Sequence, residues 1–171
     1  TLRRDNEQSL VLKVCNLNDG DARAAYKTSD LDVRTYKRLK MFVHAEGAED
    51  DLLDGDLSCF IRLGTDFTSN YYEYEVPLKP TPWERSSPEE VWPKDNEIDI
   101  AFDELQQAKQ ERNFSNNEVS QPYTKYLSNG RITIVGNPNL AQVKTIMIGI
   151  RNPKKLDNSN NDDGEVKSGQ I

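Results

Sequence analysis

Side chains that alternate in polarity residue by residue dominate this chain, and they dictate extended strands with one buried face. In 10–17, Leu10, Leu12 and Val14 share a side; in 39–45, Leu39, Met41, Val43 and Ala45 oppose Lys40, Phe42 and His44. In 57–64, Leu57, Cys59, Ile61 and Leu63 oppose Ser58, Phe60 and Arg62. In 70–79, Tyr72, Tyr74, Val76 and Leu78 oppose Tyr71, Glu73, Glu75 and Pro77. Each segment reads as a half-buried antiparallel strand, with Pro77 at a strand end or edge because it has no amide hydrogen to give a ladder. Two more strands are predicted at 131–136 and 143–150, the second with Ile146, Ile148 and Ile150 on one face. Asn-Pro pairs at 137–138 and 152–153 punctuate their ends.

One segment follows a different period. Ile98, Ala101, Phe102, Leu105 and Ala108 recur at steps of three and four, which predicts a helix over 97–113. Asp95 or Asn96 is its expected N-cap, and Lys109 and Arg112 complement the dipole at its other end. Polar connections at 18–32, 47–56 and 79–93 are longer than hairpin turns, a length typical of functional or mobile loops. From Asn152 onward no core-forming pattern remains, so 152–171 is expected to be a disordered tail leading to the next segment of a larger protein. The start at Thr1-Leu2-Arg3-Arg4-Asp5, with neither initiator methionine nor signal sequence, fits the same expectation. Residues 1–151 then form a single domain that is mainly β, an antiparallel β-sandwich with one amphipathic helix packed at an edge.

Only 35% of residues are apolar, enough for a modest core wrapped in hydrophilic loops. The net charge of −7 repels phosphate backbones and anionic headgroups, so no nucleic acid is expected as a partner. The cations between Arg34 and Lys40 read as a solvated strand edge. No apolar run approaches the ~20 residues of a membrane-spanning helix, so this segment is not expected to insert directly into a membrane. Cys15 and Cys59 each sit in an apolar run, where a free cysteine serves as a small hydrophobe; one disulfide between them is permitted and not required.

The catalytic inventory is thin. His44 is the only histidine, and its parity with Lys40 and Phe42 makes it a strand-face residue bonded to a neighbour. No Gly-x-Ser-x-Gly elbow accompanies it, and no Cys-x-x-Cys or His-x-x-x-His pair suggests zinc. Glu73 and Glu75 lie on one strand face, roughly 6.6 Å apart from twice the strand rise. That spacing suits a glycosidase pair, but the expected reading is a solvated sheet surface. Acidic loops offer Asp50, Asp54 and Asp56 as ligands for a structural calcium, without the spacing of an EF-hand loop. Tyr71, Trp83 and Trp92 are candidate stacking platforms for a glycan.

Several runs carry a resemblance. Tyr36 to Glu46, Phe60 to Asp66 and Asn70 to Leu78 resemble the SprA/Sov family, as does Val91-Trp92-Pro93 with Asn96 leading into the helix that bears Lys109 and Arg112-Asn113. The likeness spans about residues 5 to 155, and Lys167 to Ile171 looks like the lead into the family's next strand. It implies a very large outer-membrane protein of Bacteroidota, needed for gliding motility in some members, that forms the translocon of the type IX secretion system. These strands are too short and polar for a barrel wall. The implied role is therefore a soluble, non-catalytic structural or interaction domain of the translocon, without a cofactor. The implied location is the outer membrane or cell surface, the extracellular side favoured over the periplasmic. Partners would be other parts of the parent translocon and its accessory or cargo proteins. The layout also resembles jelly-roll sandwiches of the galactose-binding type, which makes a carbohydrate-binding module the alternative function.

Overall fold

The computed structural model describes residues 9–47, 52–82, 87–155 and 164–171. The chain is mainly β, and every strand pairing among the described residues is antiparallel. In chain order the strands are β1 (Lys13–Leu17), β2 (Ala22–Leu31), β3 (Arg38–Met41), β4 (Glu46–Gly47), β5 (Ser58–Gly64) and β6 (Tyr71–Pro77). A short helix α1 (Pro88–Val91) and a 3-10 turn (Lys94–Asn96) precede β7 (Ile98–Ala101) and helix α2 (Phe102–Phe114). Then come β8 (Tyr123–Leu127), β9 (Gly130–Val135), β10 (Val143–Arg151) and β11 (Lys167–Gln170).

Six strands form the main sheet in the order β2-β10-β5-β6-β9-β8. Its register stacks the apolar parity of each strand onto one face. Cys59 pairs with Val76, Ile61 with Tyr74 and Leu63 with Tyr72. Tyr74 continues to Ile132 and Tyr72 to Ile134. On the other side Ile148 meets Ile61 and Ile150 meets Cys59. A second layer covers this face in pieces rather than as one continuous sheet. A three-stranded sheet β1-β11-β4, a two-stranded sheet β3-β7 and helix α2 supply it. Val14, Leu17, Ile98, Ile100, Phe102, Leu105 and Ala108 from these pieces join the inner face in one buried cluster. Removing these residues from water is the main favourable term, about 1.5–3 kcal/mol for each fully buried large aliphatic side chain.

The helix is shorter than the 97–113 expected. Ile98 and Ile100 are β-branched and alternate with Asp99 and Ala101, so they serve a strand equally well, and β3 is available as partner. Asp99 accepts a 2.7 Å hydrogen bond from Arg38 Nε on that partner. Asn96 does not cap the helix. Its amide is fully buried, accepting from Lys79 N–H at 2.7 Å and donating to the Lys79 carbonyl at 2.8 Å, much as a strand neighbour would.

The expected tail from Asn152 is also corrected for part of its length. Lys167–Gln170 is a strand held between β1 and β4, and buried Asn152 donates to the carbonyls of Leu17 and Glu165. Backbone pairing, which carries no sequence signature of its own, holds this segment. Residues 156–163 of that expected tail lie outside the described residues. Cys15 is exposed and Cys59 buried, and both are free thiols.

Candidate functional site: an open apolar groove and a charged sheet face

An open groove of about 1110 Å³ lies along the second layer, and three stretches of chain supply its exposed rings and aliphatics. Leu10 and Val11 come from the approach to β1, Phe42 from the exit of β3 and Trp92 from the end of α1. These four large apolar residues keep between 49% and 73% of their surface in water, too much for core residues of a closed fold. Ile148, on the inner face of β10, reaches the groove from beneath.

Local chemistry fixes these side chains. Phe42 and His44 point away from the core because Met41, Val43 and Ala45 take the inner parity, with Val43 and Ala45 buried. Helix α1 is one capped turn. Ser87 Oγ accepts from Glu90 N–H at 3.3 Å, Glu90 Oε2 accepts from Ser87 N–H at 2.9 Å, and Pro88 occupies the first helical position. The Trp92 amide closes the turn on the Pro88 carbonyl at 2.8 Å. Its ring then meets His44 edge-on at 5.5 Å and Phe42 at 6.4 Å between centroids. His44 Nε2 lies 3.4 Å from Glu46 Oε1, and Glu46 Oε2 accepts from Gln170 Nε2 at 2.8 Å. Glu46 and Glu89 make the polar margin of the groove acidic.

The opposite, outer face of the main sheet holds the paired glutamates, and here the structure corrects the sequence reading. Glu73 and Glu75 share that face as expected, but they are 3% and 4% exposed rather than solvated. The register sets Arg62 opposite Glu73 and Arg131 opposite Glu75, with Arg151 arriving from β10. Arg62 donates twice to Glu73 Oε2, at 2.9 and 2.6 Å, while Arg151 Nη1 reaches Glu73 Oε1 at 2.9 Å and also contacts Glu75. Arg131 adds bonds of 3.1 and 2.9 Å to Glu75 Oε2, and Ser58 Oγ donates to Glu75 Oε1 at 2.6 Å. Burial pushes the Glu73 carboxyl up, but Arg151 and Arg62 outweigh it and hold the group below its ordinary range. Both carboxylates are thereby committed to arginines, which suits a structural lattice and leaves neither poised to protonate a leaving group.

The remaining sequence candidates are not gathered into one place. Tyr71 is on the outer face with the Arg62 guanidinium 3.8 Å from its ring centroid, and Trp92 is in the groove on the other side of the sheet. Trp83 lies outside the described residues, as does Asp50. Asp54 is exposed, whereas Asp56 is buried and accepts from Leu53 N–H at 2.9 Å and from Lys155 Nζ at 2.5 Å, with Lys167 Nζ at 3.1 Å. Two lysines thus neutralise Asp56, one of the three calcium candidates. Among the described residues no three acidic, histidine or cysteine side chains cluster as a metal set would. Sequence reasoning missed Phe42 and Leu10 as groove residues. The available signal was Phe42 on the polar parity of its strand.

The profile of the SprA_N family, described as motility related/secretion protein, matches residues 1–170. The chain belongs to the SprA_N family. The resemblance carried by Tyr36 to Glu46, Phe60 to Asp66 and Asn70 to Leu78 is thereby borne out, and a general role in motility or secretion follows for this SprA_N chain. A search of the curated proteins returns no match. Among the described residues of this family member no helix is long and apolar enough to cross a membrane.

Proposed function

We propose that this SprA_N domain is a non-catalytic docking module of a large outer-membrane translocon, serving type IX secretion and gliding motility. The open groove carries the reading. Its volume of about 1110 Å³ lies at the top of the range of small-molecule sites, roughly 300–1,000 Å³, and its exposed aromatic rings are of the kind that anchor protein interfaces. The occupant is an extended apolar segment bearing lysine or arginine, contributed by another part of the translocon or by an accessory or cargo protein. Glu46 and Glu89 at the margin favour that charge. The same acidity, with a net charge of −7, argues against anionic lipid and against a second copy of this chain. Among the described residues the nearest charged partner of His44 is Glu46, and its Nε2 bonds no hydroxyl or thiol, which supports a binding role.

A pair of labelled peptides tests this directly. One carries alternating leucine and phenylalanine flanked by lysines, the other the same core flanked by glutamates. Fluorescence polarisation is expected to give saturable binding for the lysine peptide, at least tenfold tighter than for the glutamate peptide, and lost in Trp92→Ala. Equal binding of both peptides, or binding that survives Trp92→Ala, contradicts the proposal.

A further inference from the structure

Four charged side chains are buried among the described residues, and one of them differs from the rest. Glu73 and Glu75 are matched by arginines and Asp56 by lysines, but Arg112, 1% exposed, meets only neutral acceptors. Its Nη1 donates to the Gly136 carbonyl, and its Nε and Nη2 donate to Asn113 Oδ1 at 3.2 and 3.0 Å. One turn earlier on α2, half-buried Lys109 also has no carboxylate partner among the described residues, its Nζ donating to the Pro138 carbonyl at 2.8 Å. Burial and the Arg112 charge both push the Lys109 ammonium below its ordinary value. Two neighbouring cations withdrawn from water without a counter-charge are costly, and an anion placed beside them relieves the cost.

A pocket of about 250 Å³ sits at this point. Lys109, Gln106, Gln110 and Asn113 line it from one face of α2, being spaced at three- and four-residue steps, and Asn139 lines it from the loop opposite. No carboxylate lines it, on a chain with an excess of seven negative charges. Arg34 stands at the edge with its own partner, Asp32, bonded at 2.6 Å.

We propose that this pocket binds an oxyanion, a carboxylate or phosphoryl group, with Lys109 as the contacting cation, Arg112 as the buried charge behind it and the side-chain amides as donors. The site is separate from the apolar groove and does not depend on it. Amide NMR of the 171-residue chain, titrated with sodium phosphate and separately with sodium acetate at ionic strength held constant with chloride, provides the test. Saturable shifts centred on Gln106, Lys109, Gln110, Asn113 and Asn139 are expected for at least one of the two. A phosphate-only response assigns a phosphoryl ligand, and an acetate-only response a carboxylate. Lys109→Gln is expected to weaken binding at least tenfold, and Gln110→Glu, which installs a carboxylate in the pocket, to abolish it. Both side chains reach solvent, so these variants keep the fold, checked by unchanged shifts elsewhere. Linear, non-saturating responses to both anions, or saturation that persists in Lys109→Gln, overturns the proposal.

Discussion

Among the described residues Arg151 alone is bonded to both buried glutamates, which ties it to stability. Truncation to alanine leaves each buried carboxylate with one arginine, Arg62 on Glu73 and Arg131 on Glu75. Hydrogen bonds to charged groups contribute about 1.5–3 kcal/mol, and urea unfolding of Arg151→Ala is expected to show a loss in that range. The network also sets an acid limb. The folded-state value of Glu73 is depressed, so its contribution is fully present above the ordinary glutamate range and is lost as pH falls through the folded value. A plot of unfolding free energy against pH is expected to fall less steeply on the acid side for Glu73→Gln than for the parent chain. The two thiols differ in the same predictable way. Burial, then the nearby Glu75 charge, pushes the Cys59 thiol up to about 12, whereas Cys15 is exposed. Thiol labelling of the native chain is expected to modify Cys15 and to reach Cys59 only after unfolding. The burial of Cys59 was legible from its apolar parity, but the glutamate–arginine network was not. Glutamates facing away from an apolar parity are usually wet, and only the pairing register reveals that Arg62 and Arg131 stand opposite them.

Strands β5, β6, β9 and β10 are legible as elements from their alternating sequence, although burial does not follow the alternation throughout: Phe60 in β5 and Gly149 in β10 are buried on the opposite parity. Edge strand β2 is not. Ala22–Leu31 is open to solvent along most of its length, so its residues carry no burial pattern, and its place is fixed by backbone pairing with β10. Strand β11 was hidden for a similar reason, since Lys-Ser-Gly-Gln offers no apolar repeat. Strand β7 was absorbed into the helix because its isoleucines fit both periods. Glycine at 149 in β10 has a packing role that the pattern did not show. A Cβ there would lie 2.3 Å from Phe60 Cζ and 2.8 Å from the Ala24 Cβ, so the ring of Phe60 lies across bare backbone. Gly149→Val is expected to lower stability by about 1–3 kcal/mol, the usual cost of overpacking, with a lower midpoint in thermal unfolding. Restoring space with Phe60→Leu in the same chain is expected to recover part of that loss.

At the level of the whole molecule the two faces of the main sheet do different work. The outer face is closed by its own ion pairs, while the second layer is pieced together and leaves the groove where its pieces do not meet. An antiparallel sheet covered by one large second sheet would have no such opening. Family membership in SprA_N brings a motility or secretion role, and the contact surface proposed for that role is the groove lined by Leu10, Val11, Phe42 and Trp92. Phe42 is 73% and Trp92 49% exposed, so replacing them removes a surface without removing core. The decisive measurement, for the role proposed, is secretion of type IX cargo and colony spreading by cells in which this protein carries Phe42→Ala with Trp92→Ala. The account predicts normal protein levels, an unchanged unfolding midpoint for the isolated chain, and cargo export reduced at least fivefold. Full export and spreading with both rings absent would contradict it.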